Sequence, residues 1–303
     1  MKNTLNHSLK KSEPRAGFIL VMVLVLLLLT SLSVAGFARK SLILADSVAV
    51  AQETLQRRWG IQTCRRLLLQ NSEQLLDGNR AANQSTAPLW PTRGMIQGSF
   101  LLGGLRFEFQ LSDEDAKVNL NAIASGKSDP MAALTAAVRQ SSGRAGMEPQ
   151  IRWSPQMKKS QKELPFRTWQ QVFNLQDRGG SQELADRLQQ ATGEITCWGS
   201  GRLNLRRASD RSVETVCQSE IGEDALRKLL VLRKNGGFGD LDDVLSGIAL
   251  RSSDAFAIRR LLATESKCYS LWLTVRNSRR SWTSFTIDTT GSGKTSTFES
   301  FVW

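Results

Sequence analysis

From Ala16 to Ala38 the chain reads AGFILVMVLVLLLLTSLSVAGFA, 23 residues without a charge. A helix needs about 20 apolar residues to cross a bilayer, so this stretch predicts one membrane span. Lys10, Lys11 and Arg15 precede it, and the positive-inside bias puts the short leading segment in the cytoplasm and the long remainder outside; Arg39 and Lys40 beyond the span reduce the asymmetry. No proline occurs between Phe18 and Gly78. Leu44, Val48, Ala51, Leu55 and Trp59, then Ile61, Cys64 and Leu68, recur at helical spacing as one apolar face. The helix is therefore expected to run on past the membrane and lay that stripe against a soluble domain.

The rest of the 303 residues leaves room for one or two packed domains behind the anchor. Hydrophobic residues make up 41% and charged residues 22%, ordinary globular values that exclude wholesale disorder and a multi-span membrane protein. Forty basic against 28 acidic residues give +12, a balance that attracts anionic lipid or nucleic acid without identifying either. The one histidine is His7, which excludes a His triad or a His-ligated metal in the body. Cys64, Cys197, Cys217 and Cys268 never form C-x-x-C, so a zinc ribbon or thioredoxin motif is unsupported. Cys197 with Cys217 is the natural disulfide pair in an oxidising compartment, and buried free thiols are the alternative.

Along the body, residues 79–98 read as a loop rich in Asn, Ser, Pro and Gly. Residues 99–102 and 105–111 flank Gly103-Gly104, and Leu105, Phe107, Phe109 and Leu111 alternate with polar residues, a hairpin with one buried face. Asp113, Glu114 and Asp115 follow. Three adjacent carboxylates could hold a hard cation such as calcium, but the spaced acids and glycine of an EF-hand are missing, so a solvated turn is the expectation. Helices are predicted at 131–138, 184–188, 212–218, 223–233 and 240–245, the last with Asp240 as N-cap, around a break at 141–165 and with no strand period over 124–195. Strands return at 269–275, 281–289 and 295–302, the last two around Gly291-Ser292-Gly293. Gly293-Lys294-Thr295 is not a P-loop, because Asp288 stands where its first glycine belongs.

Several of these segments carry a resemblance. Arg15-Ala16-Gly17-Phe18 at the head of the apolar run resembles the class III signal of type IV pilins and pseudopilins, which a prepilin peptidase cuts after the glycine before methylating the new N-terminal phenylalanine. A secretory signal cut after Ala35, in Ser33-Val34-Ala35, is the rival reading. DEDAKVNLNAI, with Asp113, Glu114, Asn119 and Asn121, resembles the acidic, N-x-N segment of the type II secretion system protein K family, the large minor pseudopilins. GRLNLRRAS, with Asn204 and Ala208, resembles that family's second asparagine-bearing strand, although Arg206-Arg207 stand where Asn-Thr is usual.

That resemblance implies an α+β protein: a long transmembrane and amphipathic helix on a small antiparallel, pilin-like sheet that carries a large inserted helical domain. It divides the chain into a leader at 1–17, the membrane part of the helix at 18–38, its periplasmic part at 39–78, a pilin-like loop and hairpin at 79–123, the insert at 124–265 with SAM-like helices at 203–262, and returning strands at 266–303. It implies cleavage between Gly17 and Phe18, an inner-membrane location, and a place at the pseudopilus tip, where assembly starts. The implied partners are other minor pseudopilins, the major pseudopilin, the prepilin peptidase and the inner-membrane secretion platform. Calcium is the one cofactor the resemblance suggests. Met22, fifth from Phe18, replaces the glutamate of most pilins, which suits a subunit with no neighbour above it.

Two other functional classes compete with this reading. An enzyme lacks support, since the body has no histidine, no G-x-S-x-G and no complete nucleotide loop. A membrane-anchored helix-hairpin-helix protein binding nucleic acid is the alternative, but its first hairpin would need Gly-x-Gly near Ile221 and has only Gly222, and its basic residues carry no interleaved aromatics.

Overall fold

The computed structural model describes residues 16–78, 92–126, 129–143, 145–152, 165–175, 181–235, 240–248, 250–278, 280–289 and 297–302. Residues up to Gln56 make one compact unit and those from Arg57 onward a second. His7, the leader to Arg15, Gly236 to Gly239 and the Gly293-Lys294-Thr295 string lie outside the described residues.

Helix α1 (Ala16–Gln70) is the expected long helix. Within it lies a segment long and apolar enough to cross a membrane, with mean hydropathy 2.9. It stops short of the expected Gly78: Asn71 leaves the helical conformation and its Nδ2 donates to the Leu67 carbonyl, a side-chain bond that competes with the helical ladder. A short helix α2 (Ser72–Asp77) follows and ends at Gly78 in a left-handed conformation.

The body is built on an antiparallel sheet of strands β1 (Met95–Leu102), β2 (Leu105–Asp113), β7 (Cys268–Arg276), β8 (Ser281–Thr289) and β9 (Thr297–Val302), in that order. Apolar residues alternate along β2, so one face buries Leu105, Phe107 and Leu111 with Tyr269, Leu271, Leu273 and Val275 against Ile61, Cys64, Leu68 and Leu69 of α1. Helix and sheet meet closely at Gly60, where a Cβ would lie 2.3 Å from Phe107 Cζ.

The apolar stripe read on α1 needs correcting. Ile61, Cys64 and Leu68 do pack on the sheet, but Leu44, Val48, Leu55 and Trp59 are exposed. Trp59 stands five residues from Cys64, about 500° around a helix of 100° per residue, and so turns away from the sheet that Cys64 meets.

Strands β2 and β7 are neighbours, so everything from Glu114 to Lys267 is inserted between them. The insert has two helical lobes. The first holds α3 (Leu120–Gly126), α4 (Pro130–Ser142) and α5 (Ser181–Ala191), and its core of Leu134, Phe166, Trp169, Phe173 and Leu188 packs on Trp272, Phe285 and Ile287, the sheet face away from α1. The second holds α6 (Asp210–Cys217), α7 (Glu223–Asn235), α8 (Leu241–Ser246) and α9 (Ser252–Leu261) around Val213, Leu229, Val244 and Ile258. Asp240 caps α8 as expected, accepting from Asp243 N at 2.9 Å.

A parallel two-residue ladder closes the base of each lobe. Strand β3 (Val118–Asn119) pairs with β4 (Ile195–Thr196), and β5 (Leu203–Asn204) with β6 (Leu262–Ala263). Periodicity could not reveal pairs this short; among the described residues only Ile195 of these ladders falls within 124–195, which otherwise holds no named strand, as expected. The architecture is α+β, as the sequence led us to expect.

Candidate functional site

The expected solvated turn at Asp113, Glu114 and Asp115 is the most deeply buried polar site described. Asp113 and Glu114 are 0% exposed. The chain leaves β2 at Asp113 and makes a 3-10 turn over Glu114–Ala116, which sends the three side chains in different directions. Burial of a carboxylate is tolerated only where donors replace water, and each side chain here finds its donors in a different part of the chain.

Glu114 accepts from Lys117 Nζ at 2.6 Å, from Thr196 Oγ1 on β4, and from Ser270 Oγ on β7. Asp115 accepts from the Ser200 amide at 2.7 Å and the Lys267 amide at 2.8 Å. Gly199 makes that approach possible: its φ is +98°, and a Cβ would lie 2.5 Å from Asp115 Oδ1. Asp113 Oδ2 collects Ser266 Oγ at 2.5 Å, Asn204 Nδ2 at 3.2 Å and Arg207 at 3.3 Å. Arg207 turns its other nitrogen to Asp77 of α2 at 2.7 Å. The three adjacent acids thus clasp the end of α2, the sheet and the bases of both lobes.

The asparagines complete the clasp. Asn119 Oδ1 accepts from the Asn121 and Ala122 amides and starts α3, while its Nδ2 donates to the Trp198 carbonyl at 2.6 Å. Asn121 donates to the Phe166 and Cys197 carbonyls and accepts from the Phe166 amide at 2.8 Å, so one side chain pins two loops of the first lobe. Asn204 holds Asp113 and Ser266 and accepts from the Arg206 amide. Ala208 is buried, and its carbonyl accepts from Arg233, whose guanidinium also reaches the Leu205 carbonyl and Asp210 across the turn into α6.

The electrostatics follow from burial. Desolvation pushes Asp113 up to about 6, only partly opposed by the Ser266 hydrogen bond and the Arg207 charge, with Asp115 nearby adding to the rise. Its Oδ1 is buried without a partner among the described residues. Burial pulls Arg207 down, yet Asp77 and Asp113 outweigh it and leave the guanidinium more firmly charged than usual. Burial raises Tyr269, beside Arg207, to about 12.

Calcium does not fit here. The donors just named occupy both oxygens of Glu114 and Asp115 and one of Asp113, and among the described residues no group of three or more His, Cys, Asp and Glu could hold a metal ion. None of the four cysteines forms a disulfide, and all four are buried. Cys197 belongs to the first lobe's core and Cys217 to the second's, which separates the pair the sequence suggested. Burial raises the Cys64 thiol to about 11 and also lifts Cys197 and Cys268, leaving poor nucleophiles.

Sequence reading singled out Asp113, Glu114, Asn119, Asn121, Asn204 and Ala208, and the structure gathers them at this clasp. It missed Asp77, Thr196, Gly199, Ser200, Ser266 and Ser270, small polar residues with no local signature. Gly17, Phe18 and Met22 lie apart on α1, where Phe18 and Met22 are 67% and 61% exposed. Arg206 pairs with Asp77, and Arg207 with Asp77 and Asp113, so both cations are committed within the clasp. On the second lobe Arg227 and Lys228 pair with Asp224, Arg259 with Asp242 and Arg260 with Glu220.

No family model matches the chain, and no curated protein matches it in sequence. Among solved structures, three chains match in fold. One belongs to the crystal structure of the GspK-GspI-GspJ complex from the type 2 secretion system of enterotoxigenic Escherichia coli; it is 16% identical, with 84% of this chain and 99% of that chain covered, at a TM-score of 0.48.

Proposed function

We propose that the chain is a minor pseudopilin of a type II secretion system, a single-pass inner-membrane protein with its body in the periplasm, placed at the pseudopilus tip and starting assembly there. It builds and does not catalyse. The observation that carries this reading is the insertion of a two-lobed helical body between neighbouring strands β2 and β7 behind a 55-residue N-terminal helix. A helix-and-sheet subunit can repeat along a filament, whereas an insert this large suits a subunit with no copy stacked above it.

Two features of α1 support the reading. Met22 puts no carboxylate in the apolar layer, where a lone charge costs several kcal/mol unless a neighbour supplies its partner. The exposed Leu44, Val48, Leu55 and Trp59 offer an apolar face to the helices of adjoining subunits. The paired cations of the second lobe weigh against a nucleic-acid binder, because phosphate contacts need cations free to release counterions.

Coexpression with a prepilin peptidase and intact-mass analysis test the reading. The product is expected to begin at Phe18, having lost Lys2, Lys10, Lys11 and Arg15 together with Glu13, which leaves +9. A product beginning at Gly36 would make the chain a freely secreted protein. Labelled protein found in many copies along the filament would exclude the tip.

A further inference from the structure

Strand β1 is one rim of the sheet, and among the described residues no strand pairs with its outer side. Gly103 and Gly104, with φ of +58° and +81°, form a two-residue turn of the I′ kind that closes Leu102 on Leu105. In such a hairpin the pair beside the turn exchanges both hydrogen bonds, and alternation makes Phe100 with Phe107, Gly98 with Phe109, and Ile96 with Leu111 the further bonded pairs. The amides and carbonyls of Met95, Gln97, Ser99 and Leu101 therefore point away from the sheet. All four residues are exposed.

Natural sheets blunt such rims with charge, proline, a bulge or a cover. MIQGSFLL has no charged residue and no proline, and its register with β2 runs without a bulge from Met95 to Leu102. Leu101 is 76% exposed, and Met95, Phe100 and Leu102 are exposed beside it. The spacing of the free backbone groups decides what can cover them. They recur every second residue, about 6.8 Å apart at roughly 3.4 Å per residue, a ladder that only an extended backbone matches. A helix has no free amides to offer along its side, and lipid cannot satisfy polar backbone groups.

We infer that β1 is a docking edge for an extended, uncharged strand of a partner subunit, which adds a sixth strand to the sheet. The uncharged rim selects against charged side chains, which would be desolvated there without partners, and alternate apolar side chains would cover Leu101 and Met95. This rests on the pseudopilin reading only in taking the partner from the same secretion assembly.

Hydrogen–deuterium exchange on the full chain in detergent tests it, alone and coexpressed with the other pseudopilins of its secretion system. The amides of Gln97, Ser99 and Leu101 are expected to exchange fast in the isolated chain and at least about tenfold more slowly in the assembly, the ratio one hydrogen bond near 1.4 kcal/mol gives. Ser99→Pro removes one outward donor and no bond to β2, and Gly98 before it tolerates proline. It should weaken assembly about tenfold while leaving the free chain's unfolding midpoint in place, and Ser99→Ala should do neither. An assembly that forms with these amides still fast overturns the edge and leaves the pseudopilin reading standing; no assembly at all sinks both. Slow exchange in the isolated chain means its own residues cover the rim, and protection that grows with its concentration means a second copy does. Either result overturns the proposed occupant.

Discussion

Two regions of this molecule invert the usual rule of burial. Along the first turns of α1 Phe18, Leu20 and Met22 are largely exposed, whereas at the end of β2 Asp113 and Glu114 are wholly enclosed. Polarity alone predicts neither. What separates them is where partners lie: the acids find donors within their own chain, while Phe18, Leu20 and Met22 stay exposed among the described residues, a surface suited to lipid or other helices. The clasp draws its donors from its own chain, leaving Asp113 Oδ1 as its one open acceptor among the oxygens of the three acids.

Breaking the clasp should have the largest effect. Glu114→Ala leaves Lys117, whose side chain is 7% exposed, without its carboxylate, and removes the acceptor of Thr196 and Ser270. Loss of one partner of a buried pair costs about 3–5 kcal/mol, which denaturant unfolding of the full chain in detergent would show. A loss under about 1 kcal/mol would mean that water reaches the site. An equal substitution on α1, such as Leu24→Ala, should leave the body's unfolding unchanged.

Next comes pH. The folded value of Asp113, about 6, lies above its ordinary 3.8, so the folded state prefers the neutral acid. Its contribution is fully present below about pH 3.8 and is lost as pH rises through about 6. Relative to Asp113→Asn, the native chain should lose about 2.4 kcal/mol between pH 4 and pH 7. The opposite slope would show that the Arg207 charge outweighs desolvation. The smallest effect is expected where helix meets sheet: Arg57 lies 4.2 Å over the Trp282 ring, and Arg57→Ala should cost about 0.5–1 kcal/mol in the same unfolding measurement.

Much of the fold was legible because its signals are local. The uncharged run from Ala16, the Gly103-Gly104 hairpin and the returning strands at β7 and β8 follow from signals within a few residues of one another. Of the site, DEDAKVNLN marked one side of the clasp. The other side was hidden, since Thr196, Ser200, Ser266 and Ser270 stand 82–156 residues away from the acids they serve.

The sequence by itself therefore determined the span, the helix, the strands and their order, each set by residues within a few positions of one another. Only the tertiary structure decided which face of α1 is covered and that the acidic turn is a buried clasp. It also decided that the second lobe's cations are spent on acids. Burial and pairing depend on which distant donors the fold delivers, and no periodicity along the chain encodes that delivery.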